Sequence, residues 1–140
     1  MRNIRMLIVE DEFLSWQLLQ AFVGEYGRSD VAADGEEAVA AVKRSYEEGQ
    51  PYDLVFMDIV LPKLDGQAAL KAIREFEASR GILASGTCKV LMTTALSDAK
   101  TVMEAFKNQC EGYLTKPYSK SMLDKAIAKL GVDDRAASGA

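Results

Sequence analysis

The sequence repeats one pattern five times: a short apolar run is followed by a longer segment whose apolar residues recur at helical spacing. This alternation is typical of βα units, which build a parallel sheet covered by helices. The predicted strands are 4–9, 30–33, 53–57, 89–93 and 111–115. The predicted helices are 13–26, one from the Asp34 cap to Gly49, one after Gly66, 98–108 and 119–130. A chain of 140 residues, 49% of them hydrophobic, can bury one core, so we expect a single domain over 1–131 and a frayed tail over 132–140.

Reactive side chains follow four of the predicted strands. Glu10 and Asp11 follow the first strand, Asp58 the third, Thr94 the fourth and Lys116 the fifth. In an open parallel sheet, ligands bind in the crevice at the carboxyl ends of the strands. We therefore expect these acids, the hydroxyl and the amine to converge on one site.

The composition restricts the chemistry of such a site. The chain has no histidine, which excludes a nucleophile activated by histidine and a zinc site built on histidine. Cys88 and Cys110 do not form a metal-type pair, and we expect small buried or half-buried thiols. Clustered carboxylates repel each other and attract a hard cation, and a few carboxylates completed by water suit Mg²⁺ better than Zn²⁺. Taken alone, the acidic run 10–12 fits a solvated surface turn equally well.

Charge and hydrophobic pattern also restrict partners and location. The 17 Lys and Arg residues against 21 Asp and Glu residues give a net charge of −4, without a basic run, so we expect no direct contact with nucleic acid. No apolar run approaches the ~20 residues of a membrane span. We expect a soluble cytoplasmic protein with no membrane segment.

Four motifs together resemble the receiver domain of two-component response regulators. They are LIVEDE at 7–12, MDIVLP at 57–62 with Asp65-Gly66, Thr94-Ala95, and Lys116-Pro117. The resemblance covers residues 4–130 and implies a flavodoxin-like (βα)5 α/β fold, with a five-stranded parallel sheet in the order 2-1-3-4-5. It also implies a cis bond between Lys116 and Pro117, although only ~5–6% of X-Pro bonds in folded proteins are cis.

By this resemblance, Asp58 accepts a phosphoryl group from a partner's phosphohistidine. Asp11 and Asp58 would bind Mg²⁺ together with the backbone carbonyl of Val60, while Glu10 would act mainly through a metal-bound water. Many family members have Asp where this chain has Glu10, and the longer side chain reaches farther.

The resemblance assigns two further side chains to the phosphoryl group. The Lys116 ammonium and the Thr94 hydroxyl would each contact a phosphoryl oxygen, which suits a reaction catalysed chiefly by positioning and electrostatics. Thr93 is the alternative to Thr94 for this contact. Only one of the two can face the site, because neighbouring residues on a strand point to opposite faces. Phosphorylation would draw Thr94 inward, repack Tyr113 and change the face of helix four, strand five and helix five, where the next protein binds. The alternative for Tyr113 is an ordinary half-exposed strand residue.

The sequence thus predicts a stand-alone response regulator that takes a phosphoryl group from a histidine kinase or histidine phosphotransferase and signals by protein contact. Its chemistry would be limited to self-phosphorylation and self-dephosphorylation. The alternative is a phosphorelay intermediate that passes the group to another protein's histidine. The acidic first loop disfavours flavodoxin-type cofactor binding, and Val60 stands where an aspartyl phosphatase would need a second acid. Only ten residues follow Leu130, so we expect no DNA-binding output domain.

Overall fold

The computed structural model describes residues 3–132. Within this range, five strands alternate with five α-helices. The strands are β1 (Ile4–Val9), β2 (Gly27–Ala32), β3 (Leu54–Met57), β4 (Lys89–Thr94) and β5 (Gly112–Thr115). The helices are α1 (Phe13–Val23), α2 (Gly35–Glu47), α3 (Gly66–Ser79), α4 (Ala99–Lys107) and α5 (Lys120–Leu130), and a short 3₁₀ turn covers Ala84–Gly86. Over the same residues, none of the helices has the length and apolar character needed to span a bilayer.

The strands form one parallel sheet in the order β2-β1-β3-β4-β5, which confirms the predicted fold. β3 lies at the centre, and all four of its residues are buried, as expected for a strand covered by helices on both faces. The chain leaves β1 toward one edge and returns on the other side to form β3. This reversal opens a crevice at the carboxyl ends of β1 and β3.

Two apolar layers cover the two faces of the sheet. Val55 and Met57 belong to the layer that packs against α2 and α3. Leu54 and Phe56 belong to the layer that packs against α1 and α5. Because successive residues of a strand point to opposite faces, the continuous apolar run of β3 supplies both layers.

Both cysteines are free and buried, as the sequence predicts. Burial raises the pKa of the Cys88 thiol to about 12 and that of the Cys110 thiol to about 11. Both thiols lie in the layer shared with α2 and α3 and behave as small apolar groups.

Side-chain caps begin four of the helices. The caps are Asp34, Asp65, Asp98 and Ser119, and each accepts a hydrogen bond from the backbone N–H three residues later. The predicted Asp34 cap is confirmed, with its Oδ1 2.8 Å from the N–H that it caps. The Lys116–Pro117 bond is cis, as predicted.

The first crossover differs from the prediction. α1 ends at Val23 rather than at residue 26, and β2 begins at Gly27 rather than at Asp30. β2 is an edge strand whose residues are mostly exposed or partly buried. Its polar residues therefore carry no apolar signal, and the sequence pattern detected only the end of the strand.

Several apolar residues of α1 and α4 point outward. Leu14 and Leu18 are 72% and 54% exposed, whereas Leu19 and Val23 of the same helix are buried. On α4, Met103 and Phe106 are likewise exposed, and the small residue Ala105 is buried. Periodicity located apolar residues in both helices but could not decide which of them face the sheet.

One residue assigned to the tail packs against the core. Val132, assigned to the tail, is fully buried against the layer that contains α1 and α5. The rest of the predicted tail, 133–140, lies outside the described residues.

Candidate functional site

Lys116 joins two carboxylates at the carboxyl edge of the sheet. Its Nζ lies 2.8 Å from Oε2 of Glu10 and 3.1 Å from Oδ2 of Asp58. Glu10 follows β1, Asp58 follows β3 and Lys116 follows β5, and these parallel strands end at the same edge. Both acids are buried, with 5% and 7% of their surface exposed. The structure thus brings three of the predicted residues together.

The charges of this cluster do not balance. Burial and the adjacent Asp58 raise the pKa of Glu10 to about 7, although Lys116 opposes the shift. Burial lowers the pKa of Lys116, but its contacts with the two acids outweigh burial and raise the pKa overall. One ammonium group therefore faces two buried carboxylates. Since uncompensated buried charge is costly, the site favours either a proton on Glu10 or, when Glu10 is ionised, one further cation.

Backbone hydrogen bonds fix the position of Asp58. Its N–H donates to the carbonyl of Val9 at 3.1 Å, which extends the pairing of β1 with β3 by one residue. Its Oδ1 accepts the N–H of Val60 at 3.2 Å, and its Oδ2 faces Lys116. The carboxylate is held in a defined orientation where the buried strand ends.

Thr94 and Tyr113 both contact the segment that follows β4. The Thr94 hydroxyl is buried and accepts the N–H of Leu96 at 3.4 Å, a weak hydrogen bond. The Tyr113 hydroxyl donates to the carbonyl of Leu96 at 2.7 Å. Thr93 is buried as well, so burial alone does not distinguish the two threonines.

The remaining predicted metal ligands lie beside this cluster. Asp11 follows Glu10 directly and is exposed, and the Val60 side chain is 63% exposed. No three or more His, Cys, Asp or Glu side chains form a metal-type group within residues 3–132. Mg²⁺, however, keeps several waters and needs only one or two carboxylates. Asp11, Asp58 and one backbone carbonyl therefore fit this ion, and so does the excess negative charge of the site.

Comparison with known families identifies the chain. The sequence profile of the response regulator receiver domain matches residues 6–128. The chain belongs to this family. The match includes all four motifs on which the resemblance rested.

The curated relatives of this receiver differ greatly in length. Chemotaxis protein CheY of Halobacterium salinarum is 34% identical over 125 residues, which are 89% of this chain and 93% of that protein. Several other relatives are longer, and the chain spans from 10% to 52% of their length. The same receiver unit therefore occurs both nearly alone and as part of larger proteins.

Solved receiver structures share the fold. A chain of the CheX–CheY–BeF3–Mg²⁺ complex from Borrelia burgdorferi matches with a TM-score of 0.77 at 30% identity, covering 92% of this chain and 90% of that one. The Saccharomyces cerevisiae complex of the histidine phosphotransfer protein Ypd1 with the receiver domain of Ssk1 contains a chain with a TM-score of 0.80 at 32% identity. That match covers 93% of this chain and 90% of the other.

Two contacts at the site had no signal in the sequence. One is the hydrogen bond between Glu10 and Lys116, because spacing indicates that both residues reach the same edge but not that they touch. The other is the Leu96 carbonyl, which holds Tyr113 through a backbone atom and therefore leaves no trace in residue identity.

Proposed function

We propose that this receiver accepts a phosphoryl group from a phosphohistidine onto Asp58 and passes the signal on through a changed protein-binding surface. The observation that carries the proposal is the 3.1 Å contact between Lys116 Nζ and Asp58 Oδ2 at the carboxyl edge of the sheet. This contact places a fixed positive charge beside a buried carboxylate. Such an arrangement suits phosphoryl transfer, in which charge collects on the phosphoryl oxygens.

The proposed reaction forms one bond and breaks one bond. An oxygen of Asp58 attacks the phosphorus, and the phosphorus–nitrogen bond of the donor breaks with its electron pair remaining on the imidazole. Lys116 stabilises one phosphoryl oxygen and the Thr94 hydroxyl donates to another. Because the transition state is loose, positioning these groups matters more than proton transfer by the protein. The absence of histidine from the chain is compatible with this chemistry.

In the proposal, Asp11, Asp58 and the Val60 carbonyl would hold Mg²⁺. When bound, the ion neutralises charge on the phosphoryl group and on the crowded acids. Glu10 stays hydrogen-bonded to Lys116 and keeps that side chain directed at Asp58. The magnesium in the related CheX–CheY structure supports this part of the proposal.

Tyr113 is the proposed switch. Its hydroxyl holds the carbonyl of Leu96, two residues beyond Thr94. Movement of Thr94 toward a phosphoryl oxygen would shift this segment and the start of α4 with it. The proposed binding surface is therefore the face of α4, β5 and α5, where Met103 and Phe106 are already exposed.

We further propose a stand-alone cytoplasmic regulator that takes its phosphoryl group from a histidine kinase or phosphotransferase and has no other enzymatic activity. The match to nearly the whole length of H. salinarum CheY supports this reading. Similarity to the Ssk1 receiver, solved with Ypd1, favours a second candidate, a phosphorelay intermediate. In that case, phosphorylated protein would lose its label to a histidine phosphotransferase faster than to water.

The test is intact-mass analysis after incubation with acetyl phosphate and Mg²⁺. We expect the mass of one phosphoryl group to be added to the wild type, and no addition for Asp58→Asn or in EDTA. A thiol-free control, Cys88→Ala with Cys110→Ala, should be phosphorylated like the wild type. No addition from acetyl phosphate or from a phosphohistidine donor would contradict the proposal.

A further inference from the structure

Two helices begin with the same dipeptide. Asp34-Gly35 starts α2, and Asp65-Gly66 starts α3, with each Asp capping its helix. Both glycines press against the loop 59–65, which leads from Asp58 to α3. A Cβ on Gly66 would lie 2.0 Å from the carbonyl oxygen of Asp58, and a Cβ on Gly35 would lie 1.9 Å from that of Leu64. The loop is therefore in close backbone contact with a helix start at each of its ends.

Asp34 also contacts this loop through its charge. Its Oδ2 lies 3.7 Å from Nζ of Lys63, and the Asp34 side chain is only 6% exposed. Lys63 adopts a left-handed backbone conformation with a φ of 67°. Residues other than glycine rarely adopt this conformation without support from their surroundings. The Lys63 side chain is 64% exposed, so the α2 corner holds the loop chiefly through backbone packing, and the ion pair adds a smaller, solvent-screened contribution.

The loop carries groups that matter to the acceptor. Gly66 N–H donates to the Ile59 carbonyl at 2.9 Å and closes the base of the loop. Val60 N–H donates to Asp58 Oδ1 at 3.2 Å. Between the closed base and the contact with Gly35, the loop has little room to shift without moving Val60.

We propose that Asp34 and Gly35 are positioning residues for the metal side of the acceptor site. They lie at the start of α2, outside the acceptor loop, and hold that loop so that the Val60 carbonyl would be available to Mg²⁺. The inference rests on the proposed function and adds α2 to the parts of the fold on which the site depends. Neither residue touches the phosphoryl group.

The first test compares Gly35→Ala with Gly24→Ala. The added methyl group must displace the Leu64 carbonyl in the first variant, whereas at Gly24 it would meet only ordinary contacts at 3.5 Å. Titration calorimetry with Mg²⁺ alone should show about tenfold weaker binding for Gly35→Ala, since groups that orient metal ligands typically change affinity by about 10–100-fold. Gly24→Ala should bind like the wild type.

A kinetic readout separates positioning from loss of structure. Phosphorylation of Gly35→Ala by acetyl phosphate should need about tenfold more Mg²⁺ for half-saturation, while the rate at saturating Mg²⁺ returns to within about twofold of wild type. An irreversibly unfolded fraction would instead lower the maximal rate and leave half-saturation unchanged. Because Mg²⁺ would recruit a reversibly unfolded fraction into the native state, circular dichroism and urea unfolding in EDTA first establish that Gly35→Ala is fully folded without the ion. Wild-type Mg²⁺ affinity in folded Gly35→Ala would overturn the inference.

If Gly35→Ala does not fold, the Mg²⁺ affinity of Asp34→Asn tests the positioning role instead. Asparagine still caps the helix but loses the charge that attracts Lys63. Glu36→Gln removes one negative charge from the same turn at an exposed position and serves as the matched control. Weaker Mg²⁺ binding by Asp34→Asn than by Glu36→Gln would support positioning, and equal binding would overturn it. Absence of Mg²⁺ binding and phosphorylation in the wild type would overturn the proposed function instead.

Discussion

Lys116 and Lys120 each lie between two carboxylates, but at different depths. Lys116 is 24% exposed between Glu10 and Asp58, and Lys120 is 45% exposed between Glu25 and Asp124. Surface ion pairs contribute little to stability, whereas removing one partner of a buried pair leaves uncompensated charge. The two lysines therefore offer a matched comparison within one chain.

We expect Lys116→Ala to lower the free energy of unfolding by about 1–2 kcal/mol in EDTA, discounted because Lys116 is partly exposed. Lys120→Ala should lower the free energy of unfolding by clearly less than Lys116→Ala does. Urea unfolding of the two variants and the wild type at neutral pH measures the difference. Equal decreases in the free energy of unfolding would mean that the greater burial of Lys116 and its two acids has no energetic consequence.

The raised pKa of Glu10 predicts how metal-free stability depends on pH. The folded state holds the Glu10 proton up to about pH 7, whereas the unfolded chain releases it near the ordinary value of 4.5. Between these values the unfolded state binds fewer protons, so this contribution to stability is present at low pH and is lost as pH rises through 7. We expect the Glu10 contribution to fall by up to roughly 3 kcal/mol across the window, at about 1.36 kcal/mol for each pH unit between the two pKa values.

Glu10→Gln should flatten this part of the pH profile, because glutamine does not titrate. Urea unfolding in EDTA between about pH 5 and pH 8 compares the variant with the wild type. An identical slope in both proteins would show that Glu10 titrates normally in the fold.

At the scale of single residues, the sequence predicted which side chains reach the carboxyl edge, because each directly follows an apolar strand. It could not predict that Lys116 divides its contacts between Glu10 and Asp58. That division depends on side-chain reach across neighbouring strands, which spacing along the chain does not encode.

Among the elements, polar side chains of α3 contact α4 and the two residues that follow it. Gln67 donates to the Thr101 carbonyl at 3.0 Å and accepts from Asn108 at 3.3 Å. Arg74 donates to the Gln109 carbonyl at 3.0 Å. Within α4, Ala105 is the one buried residue. A helix with so little apolar burial depends more than its neighbours on specific hydrogen bonds.

We expect Gln67→Ala to loosen α4. Losing hydrogen bonds worth about 1 kcal/mol should speed amide exchange in α4 roughly fivefold, while exchange in α1 and α5 stays unchanged. Hydrogen-exchange mass spectrometry measures this, with Gln17→Ala at an exposed position of α1 as the control. Unchanged protection of α4 would show that its position does not depend on Gln67.

Element boundaries were predictable where sequence and burial agree. The Asp34 cap and the central apolar strand are such places. β2 escaped detection at its start because an edge strand needs no apolar alternation on its open side. The predicted α1 was too long because the sequence near its end is apolar. Tyr26 is buried in the core, but it lies beyond the end of the helix, and an apolar residue there fits either position.

For the whole molecule, Mg²⁺ should stabilise the fold by binding only the native state. At a free concentration ten times the dissociation constant, the expected gain is about 1.4 kcal/mol. Thermal unfolding with and without Mg²⁺ measures it, and Asp58→Ala should lose most of the gain while Glu104→Gln, exposed on α4, keeps it. The same gain in Asp58→Ala would place the ion elsewhere.

The overall architecture was more predictable than any single boundary. Alternation of strands and helices indicated a parallel α/β sheet, and the four motifs fixed the strand order through family resemblance. Partner choice has no comparable signal, because it depends on the exposed surface. The outward direction of apolar side chains such as Leu14 and Met103 emerges only in the folded molecule.

The two buried thiols give this molecule an intrinsic probe of its local unfolding. Cys88 precedes β4 and Cys110 precedes β5, and their raised pKa values keep them unreactive while the core is closed. A thiol reagent can therefore modify them only during excursions that open the far end of the sheet. Site-resolved labelling would report those openings directly in the unmodified natural sequence, without an engineered dye.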